Sequence, residues 1–316
     1  MHPRAQLSEA DFIKLYRELG PSKLARRMGL KSPRAVQFRR ERLENKYKIN
    51  ILGPDHYAQA TRPQEHPQRL QLDVQDGYVL IGSDAHIWPG PKTTAMRGFI
   101  QFAKEFKPKA VILNGDVMDF SQISSHDPLG WEKVPEVSEE IEAAQEIMHD
   151  IAAAAGRARK IWTFGNHDQR FERYIAIRAD RLKNLPHVHL RDHFPLWEPC
   201  WSFWLNSNVV VKHRWKGGDH APFNNTIRSG VSIVTAHLHS GKVIPYTDYN
   251  GTRYGVDDGC LCDPAHKAFR YTEDNPLNWR SGFCVLTFHK GKLLQPQLAL
   301  VLDDKHLDYC GEVISV

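Results

Sequence analysis

The chain has 316 residues, 41% hydrophobic and 25% charged, with a formal net charge of +5. That length holds a full core in one or two domains, and the balance is that of a globular chain rather than a disordered or fibrous one. Neither an apolar run of about 18 residues nor an apolar leader over Met1–Ser8 is present, which predicts a cytoplasmic protein without a membrane span. Five cysteines, Cys200, Cys260, Cys262, Cys284 and Cys310, form no even framework. Cys260-x-Cys262 is too tight for an ordinary zinc pair, so all five are read as reduced thiols.

The charge is uneven. Residues 1–50 carry 13 Lys/Arg against 5 Asp/Glu, a net +8, and the other 266 carry 29 against 32, a net −3. A basic head on a faintly acidic body suggests a segment that faces nucleic acid.

In that head, Ser8 with Asp11 three residues on reads as a helix start. Phe12, Leu15, Tyr16 and Leu19 fall on one helical face, and Gly20-Pro21 ends the helix. Ser22 opens a second helix through Met28, broken at Gly29. Ser32-Pro33 caps a third through Leu43. Three short helices with a glycine turn resemble a helix-turn-helix module. Ala25, Gly29 and Val36 stand for its small-turn-apolar signature, with one residue more than usual between Gly29 and Val36. The basic and polar residues Lys23, Arg26, Arg27, Arg34, Gln37, Arg39 and Arg40 are then candidates for phosphate and base-edge contacts. Residues 50–75, with Pro54, Pro63 and Pro67, read as a linker or strap.

From Tyr78 the texture changes. Tyr78–Ile81, Ala110–Leu113 and Ile161–Phe164 are short apolar runs, each followed by polar residues. Helical stretches at Thr93–Phe106 and Val134–Gly156 separate them. This βαβαβ rhythm predicts parallel strands, whose carboxyl ends build sites in such sheets. Farther on, strands are expected at Ser207–Lys212, Gly230–Thr235, Lys242–Tyr246, Gly282–Phe288 and Leu293–Leu302.

Five motifs lie at strand ends: Asp84-x-His86, Gly115-Asp116-x-x-Asp119, Gly165-Asn166-His167-Asp168, His213, and His237-x-His239. Asp84 and His86, two apart, would point the same way on an extended segment, as would His237 and His239. Asp116 follows a glycine that allows a sharp turn, and a carboxylate there can bridge two cations. Asn166 adds a neutral oxygen. Carboxylates with neutral imidazoles suit Mn, Fe or Zn, and exclude a structural cysteine-type zinc site.

This ordered set resembles the calcineurin-like metallophosphoesterase superfamily, with its D-x-H, G-D-x-x-D, G-N-H-D/E, lone His and G-H-x-H motifs, over roughly residues 76–300 of a domain read as 76–316. Two positions depart from it: Ala236 stands for the glycine before the last pair, and Arg214 for the glycine after His213, which makes His220 the fallback ligand. The resemblance implies a four-layer αββα sandwich behind a small all-α N-terminal segment, and two divalent metals, Mn foremost, with Fe, Zn, Ni or Mg as substitutes. One metal would be held by Asp84, His86, Asp116 and His239, the other by Asp116, Asn166, His213 and His237, with an attacking water between them. His167, oriented by Asp119, would serve the leaving oxygen. Arg170 is a candidate phosphate clamp.

The head-plus-phosphoesterase architecture is similar to that of phage or mobile-element phosphoesterases, and the expected activity is a phosphodiesterase or nuclease acting on nucleic acid through the head. A phosphatase or phosphodiesterase for a small nucleotide or phosphoprotein, with the head as an oligomerisation or docking cap, is the alternative. A DNA-binding regulator with an inactive phosphoesterase domain is another. No membrane partner is expected, and homo-oligomerisation is left open.

Overall fold

The computed structural model describes residues 7–30, 32–47, 49, 51, 68–125 and 133–316. The chain divides into two units, Met1–Gln64 with Arg181–Pro186, and Glu65–Asp180 with His187–Val316.

In the first unit, helix α1 (Glu9–Arg27) starts where Ser8 Oγ accepts the Asp11 amide at 3.0 Å. The two helices expected on either side of Gly20-Pro21 are both found within this span, separated by a break at Gly20. Gly20 takes φ 69°, ψ 175° and Pro21 follows inside the helix. Helix α2 (Arg34–Tyr47) goes four residues beyond Leu43; Glu9 reaches its last turn through Lys46 Nζ at 2.9 Å. Phe12, Tyr16, Leu24, Ala25, Val36, Leu43 and Ile51 make a small closed core. Gly29, with φ 68°, makes the turn before α2.

In the second unit, a nine-stranded sheet runs in the order β15-β14-β13-β11-β2-β3-β4-β5, with β12 paired to β11. Its members are β2 (Gly77–Gly82), β3 (Ala110–Leu113), β4 (Arg159–Thr163), β5 (Glu198–Cys200), β11 (Gly282–His289), β12 (Lys292–Leu293), β13 (Gln297–Asp303), β14 (His306–Tyr309) and β15 (Glu312–Ser315). Strands β2 to β5 are mutually parallel, and β11 to β15 continue antiparallel. The second sheet runs β1-β6-β7-β8-β10-β9. It holds β1 (Arg69–Leu72), β6 (Ser202–Leu205), β7 (Val209–Val211), β8 (Ser232–Thr235), β9 (Lys242–Asp248) and β10 (Gly251–Asp257). Thus the end of the stretch read as linker is a strand, parallel to β6. Residues 52–67 of that stretch, with its three prolines, lie outside the described residues.

Alternation explains the layers. On β2 to β4, Val79, Ile81, Ala110, Ile112 and Ile161 face the second sheet's Phe203, Leu205, Val209, Val211, Val234 and Val256. Leu80, Val111, Leu113 and Trp162 face helices α3 (Thr94–Phe106) and α4 (Val137–Ala155) through Met96, Phe99, Phe102, Ala144, Met148 and Ile151. Helix α6 (Ala221–Ser229) packs on β8, β9 and β10, which completes the helix-sheet-sheet-helix stack. Helix α5 (Asp168–Arg178) begins inside the Gly-Asn-His-Asp motif. The aromatic segment after His193 is largely core, with Phe194, Trp197 and Phe203 buried. Among the described residues, no helix is long and apolar enough to cross a membrane.

Candidate metal centre

Five loops leave the carboxyl ends of β2, β3, β4, β7 and β8, strands of both sheets that end on the same edge. Backbone hydrogen bonds lace the first two together: Asp84 N to Gly115 O at 2.9 Å, His86 N to Asp116 O at 3.2 Å and Ile87 N to Val117 O at 2.9 Å. Ala236 N to His213 O at 2.8 Å joins the last two. The extended geometry expected for Asp84-x-His86 and His237-x-His239 is not found. Asp84, His86, Asp116, His237 and His239 all take left-handed backbone, with φ of 48°, 42°, 48°, 74° and 58°. Such conformations cost about 1–3 kcal/mol each for residues with a Cβ and cluster where geometry matters more than stability. Ala236 is not among the positive-φ residues. Its replacement of glycine therefore strains nothing; the left-handed turn falls one residue later, on His237.

Two donor groups result. Asp84, His86 and His239 offer ligand atoms within 4.8 Å of one another, and so do Asp116, His213 and His237. His239 Nε2 lies 3.1 Å from Asp84 Oδ1, and His213 Nε2 lies 3.2 Å from Asp116 Oδ2. Yet Asp84 Oδ1, His86 Nε2, His213 Nε2 and Asn166 Oδ1 are buried without a hydrogen-bond partner. Buried polar atoms are nearly always satisfied. Donor atoms near 3 Å apart but not aimed at each other fit ligands of one cation, because bonds of roughly 2.1 Å at right angles put neighbouring ligands about 3 Å apart. His220 is exposed at the start of α6 and belongs to neither group, whereas His213 is buried.

Electrostatics agree with a cationic occupant. Burial opposes charge on His213, but Asp116 and Asp84 outweigh it and push the imidazole up to about 10. His239 is likewise driven up to about 9, by Asp84 against burial. For Asp84 burial acts upward, yet His239 and His213 hold the carboxyl down at about 2. Each group thus favours added positive charge beside its carboxylate, which a divalent cation supplies without a proton.

Around the donors, Asp119 Oδ1 faces two imidazoles, His167 Nδ1 at 2.8 Å and His86 Nδ1 at 3.1 Å. It therefore orients a candidate ligand as well as His167. Burial lowers the His167 imidazole, but Asp119 and then Asp116 overcome it and hold the group above its ordinary value. Arg170 Nη1 donates to Asp119 O at 2.7 Å, and Nη2 lies 3.4 Å from His167 Nε2. Arg173 instead reaches Gln169 in the exposed part of α5.

Three buried groups hold this arrangement; sequence reasoning named Asp168 within its motif without giving it a role, and missed Glu140 and Asn114. Asp168 accepts four donors: Asp116 N and Gly165 N at 2.9 Å, Val117 N at 3.0 Å and Trp162 Nε1 at 3.2 Å. Burial, then the Asp116 charge, raises its carboxyl to about 6 against those donors. Glu140 of α4 accepts Asp119 N at 3.0 Å and Phe120 N at 2.7 Å. It was findable: residues 140, 144, 147 and 151 form the buried stripe of α4, and an acid on an apolar stripe must serve a donor. Asn114 takes His213 Nδ1 on its backbone oxygen at 2.8 Å and joins Thr163 to Asp258 through its side chain. Gly165 has a packing reason of its own, since a Cβ there would collide with Asp116 Oδ1.

A calcineurin-like phosphoesterase model matches residues 78–259, more than half of the chain. The chain belongs to that family. Among curated proteins, none matches the sequence. Among solved structures, the chain is similar to Vps29 of Entamoeba histolytica, with 12% identity over 75% of this chain and 98% of that one and a TM-score of 0.40. It is also similar to a serine/threonine phosphatase of Saccharomyces cerevisiae, with 11% identity, 74% and 79% coverage and a TM-score of 0.34. The third is the nuclease MPE of Pseudomonas putida, with 12% identity, 69% and 86% coverage and a TM-score of 0.30.

In the head, Lys23, Arg26, Arg27, Arg34 and Gln37 are exposed. Arg39 and Arg40 are half-buried and engaged in the head's own packing. The Arg39 guanidinium lies 4.6 Å over the Phe12 ring and donates to Leu7 O at 2.6 Å, while Arg40 pairs with Glu44 at 3.3 Å.

Proposed function

We propose that this phosphoesterase is a dinuclear-metal phosphodiesterase that acts on nucleic acid. The observation that carries the reading is the pair of donor groups, Asp84 with His86 and His239 and Asp116 with His213 and the exposed His237, in which several buried ligand atoms have no hydrogen-bond partner. Asp84, His86 and His239 would hold one cation and Asn166, His213 and His237 the other, with Asp116 between them. Two such cations supply Lewis acidity and an activated water for in-line displacement at phosphorus. Manganese suits the mixture of carboxylate, amide oxygen and imidazole.

The chain's own residues do the rest. Asp119 fixes His167 by its Nδ1 and raises the ring's affinity for a proton, which suits a group that serves the leaving oxygen. Arg170, anchored on Asp119 O, turns Nη2 toward the same space, where a phosphate oxygen would meet both groups. The head's exposed Lys23, Arg26, Arg27 and Arg34 supply sequence-independent attraction to a phosphate backbone. A small phosphoester is the second reading. It is favoured by a cavity of about 570 Å³ lined by His86, Trp88, Cys262, Lys267 and Phe269, a size suited to a small ligand.

Purified protein with added manganese should hydrolyse bis-para-nitrophenyl phosphate and DNA, and lose both activities to a chelator. Turnover of para-nitrophenyl phosphate and mononucleotides alone would overturn the nucleic-acid reading in favour of the small ester.

A further inference from the structure

Cys260 and Cys262 follow β10 on a loop tied to the candidate metal centre. Leu261 N donates to Ser83 O at 2.8 Å, Cys262 N to Asp84 O at 3.2 Å and Cys260 N to Arg280 O at 3.1 Å, while Arg280 N donates to His239 O at 2.7 Å. Both thiols are buried. Their sulfurs and a ring nitrogen of His239 all lie within 4.8 Å of one another. Neither thiol has a strong partner: the two pair with each other, and Cys260 Sγ reaches the carbonyl oxygens Arg280 O at 3.6 Å and Cys262 O at 3.9 Å. The imidazole has capacity to spare as well. Its Nε2 faces Asp84, and its Nδ1 is buried without a hydrogen-bond partner. Phe269 and Trp279 wall the cluster, and Cys262 also lines the 570 Å³ cavity, which gives a cation a way in.

We propose that Cys260, Cys262 and His239 form a site for a thiophilic divalent cation, distinct in its chemistry from the carboxylate-imidazole groups beside it. The two-residue spacing that speaks against an ordinary zinc pair is made good by a third ligand from another loop. Two thiolates and one imidazole select soft or borderline cations such as cadmium or zinc over manganese or magnesium. Three protein ligands leave the fourth tetrahedral position to water. Binding releases the two thiol protons and the extra proton that Asp84 holds on the His239 imidazole: two Cys–S–H bonds and one N–H bond give way to two Cys–S–metal bonds and one N–metal bond, with no change in oxidation state. Because His239 belongs to both donor groups, a cation on the sulfurs draws on the imidazole that the hard group needs. A thiophilic metal therefore inhibits. This last step rests on the phosphoesterase reading; the site itself does not.

Cobalt(II) titration of the full chain reads thiolate ligation directly, since only sulfur ligands give a thiolate-to-cobalt charge-transfer band. The band should appear in the wild type and in Cys310→Ser, which removes the exposed thiol, and vanish in Cys260→Ser and in Cys262→Ser. Should the serine variants fail to fold, cadmium on the wild type should still protect two buried thiols from maleimide, located by mass spectrometry. Absence of the band, its loss in Cys310→Ser, or labelling that cadmium does not slow would overturn the site. With manganese present, cadmium should inhibit diester hydrolysis in the wild type. The double Cys260→Ser, Cys262→Ser variant should resist by more than the roughly 10–100-fold that loss of an outer partner costs a metal site. Equal inhibition of both would overturn the sharing of His239. A protein that shows the band but hydrolyses no phosphoester keeps the thiolate site and loses the phosphoesterase reading.

Discussion

The strand-end loops and the basic head place their functional candidates in opposite ways. In the loops most candidates are inside: Asp84, His86, Asp116, His213 and His239 are buried, with His237 exposed, and several of the buried ligand atoms have no partner. In the head they are outside, and the two that turn inward, Arg39 and Arg40, are used for packing. A buried polar atom without a partner demands a ligand, because its desolvation is otherwise uncompensated. An exposed lysine demands nothing. The loops therefore identify chemistry from geometry, whereas the head offers only a charge.

The largest effect that would break this contrast is at Asp116. Asp116→Asn removes the negative charge shared between the two donor groups while keeping the side chain's shape. Hydrolysis should fall to background with the circular dichroism spectrum unchanged, and near wild-type turnover with added manganese would contradict the bridging role. Gly165→Ala should act on the same carboxylate without touching a donor atom, since its new methyl group meets Asp116 Oδ1. It should lower metal content and activity together.

The next effect separates positioning from metal binding. His167→Ala should keep bound metal, measured by elemental analysis, and slow hydrolysis by roughly 10²–10⁴-fold. The loss should shrink for a nitrophenyl leaving group, which needs little protonation. Equal losses on nitrophenyl and alkyl esters would remove His167 from the leaving-group side.

These expectations show what was legible in the sequence. Each motif ends a short apolar run, and strand ends gather at one edge of a parallel sheet, so the donors were readable as one constellation. Their backbone was not: alternation by two pointed to extended segments, where the loops turn left-handed at five donors. Side-chain spacing cannot report φ when the residue is not glycine. The break at Gly20 was legible because Gly-Pro stops helical hydrogen bonding, and so was the second helix that follows it to Arg27. Asp168 had no role assigned within its motif, and Cys260-x-Cys262 looked inert, because the groups that explain them lie on other loops: the Asp116 and Val117 amides for Asp168, and His239 for the cysteines.

For the head, replacing Lys23, Arg26, Arg27 and Arg34 together with Gln tests whether exposure amounts to function. Each phosphate contact contributes about 0.9 to the slope of log affinity against log salt, so four contacts should lower that slope by about 3–4. Turnover of the small nitrophenyl diester should not change. An unchanged DNA affinity and salt slope would leave the head as a structural cap and favour the small-ester reading.

The smallest effect concerns the acid inside helix α4. Glu140 is buried, accepts two loop amides on Oε2 and has no partner for Oε1. Burial, reinforced by the Asp119 charge and opposed by the Phe120 and Asp119 amides, pushes its carboxyl up from the ordinary 4.5 to about 8. The sign follows from linkage. With the folded value above the unfolded one, the protonated acid contributes its stability fully below about 4.5, and that contribution is lost as pH rises through about 8. Glu140→Gln keeps the carbonyl acceptor and cannot ionise. Its Tm should therefore gain on the wild type by a few degrees between pH 5 and pH 9, since about 1 kcal/mol moves Tm by roughly 2–4 °C in a body of this size. A gap that stays constant with pH, or opens in favour of the wild type, would mean that the loop amides hold Glu140 ionised. The Asp119 loop would then be fixed by a charge rather than by a neutral acid.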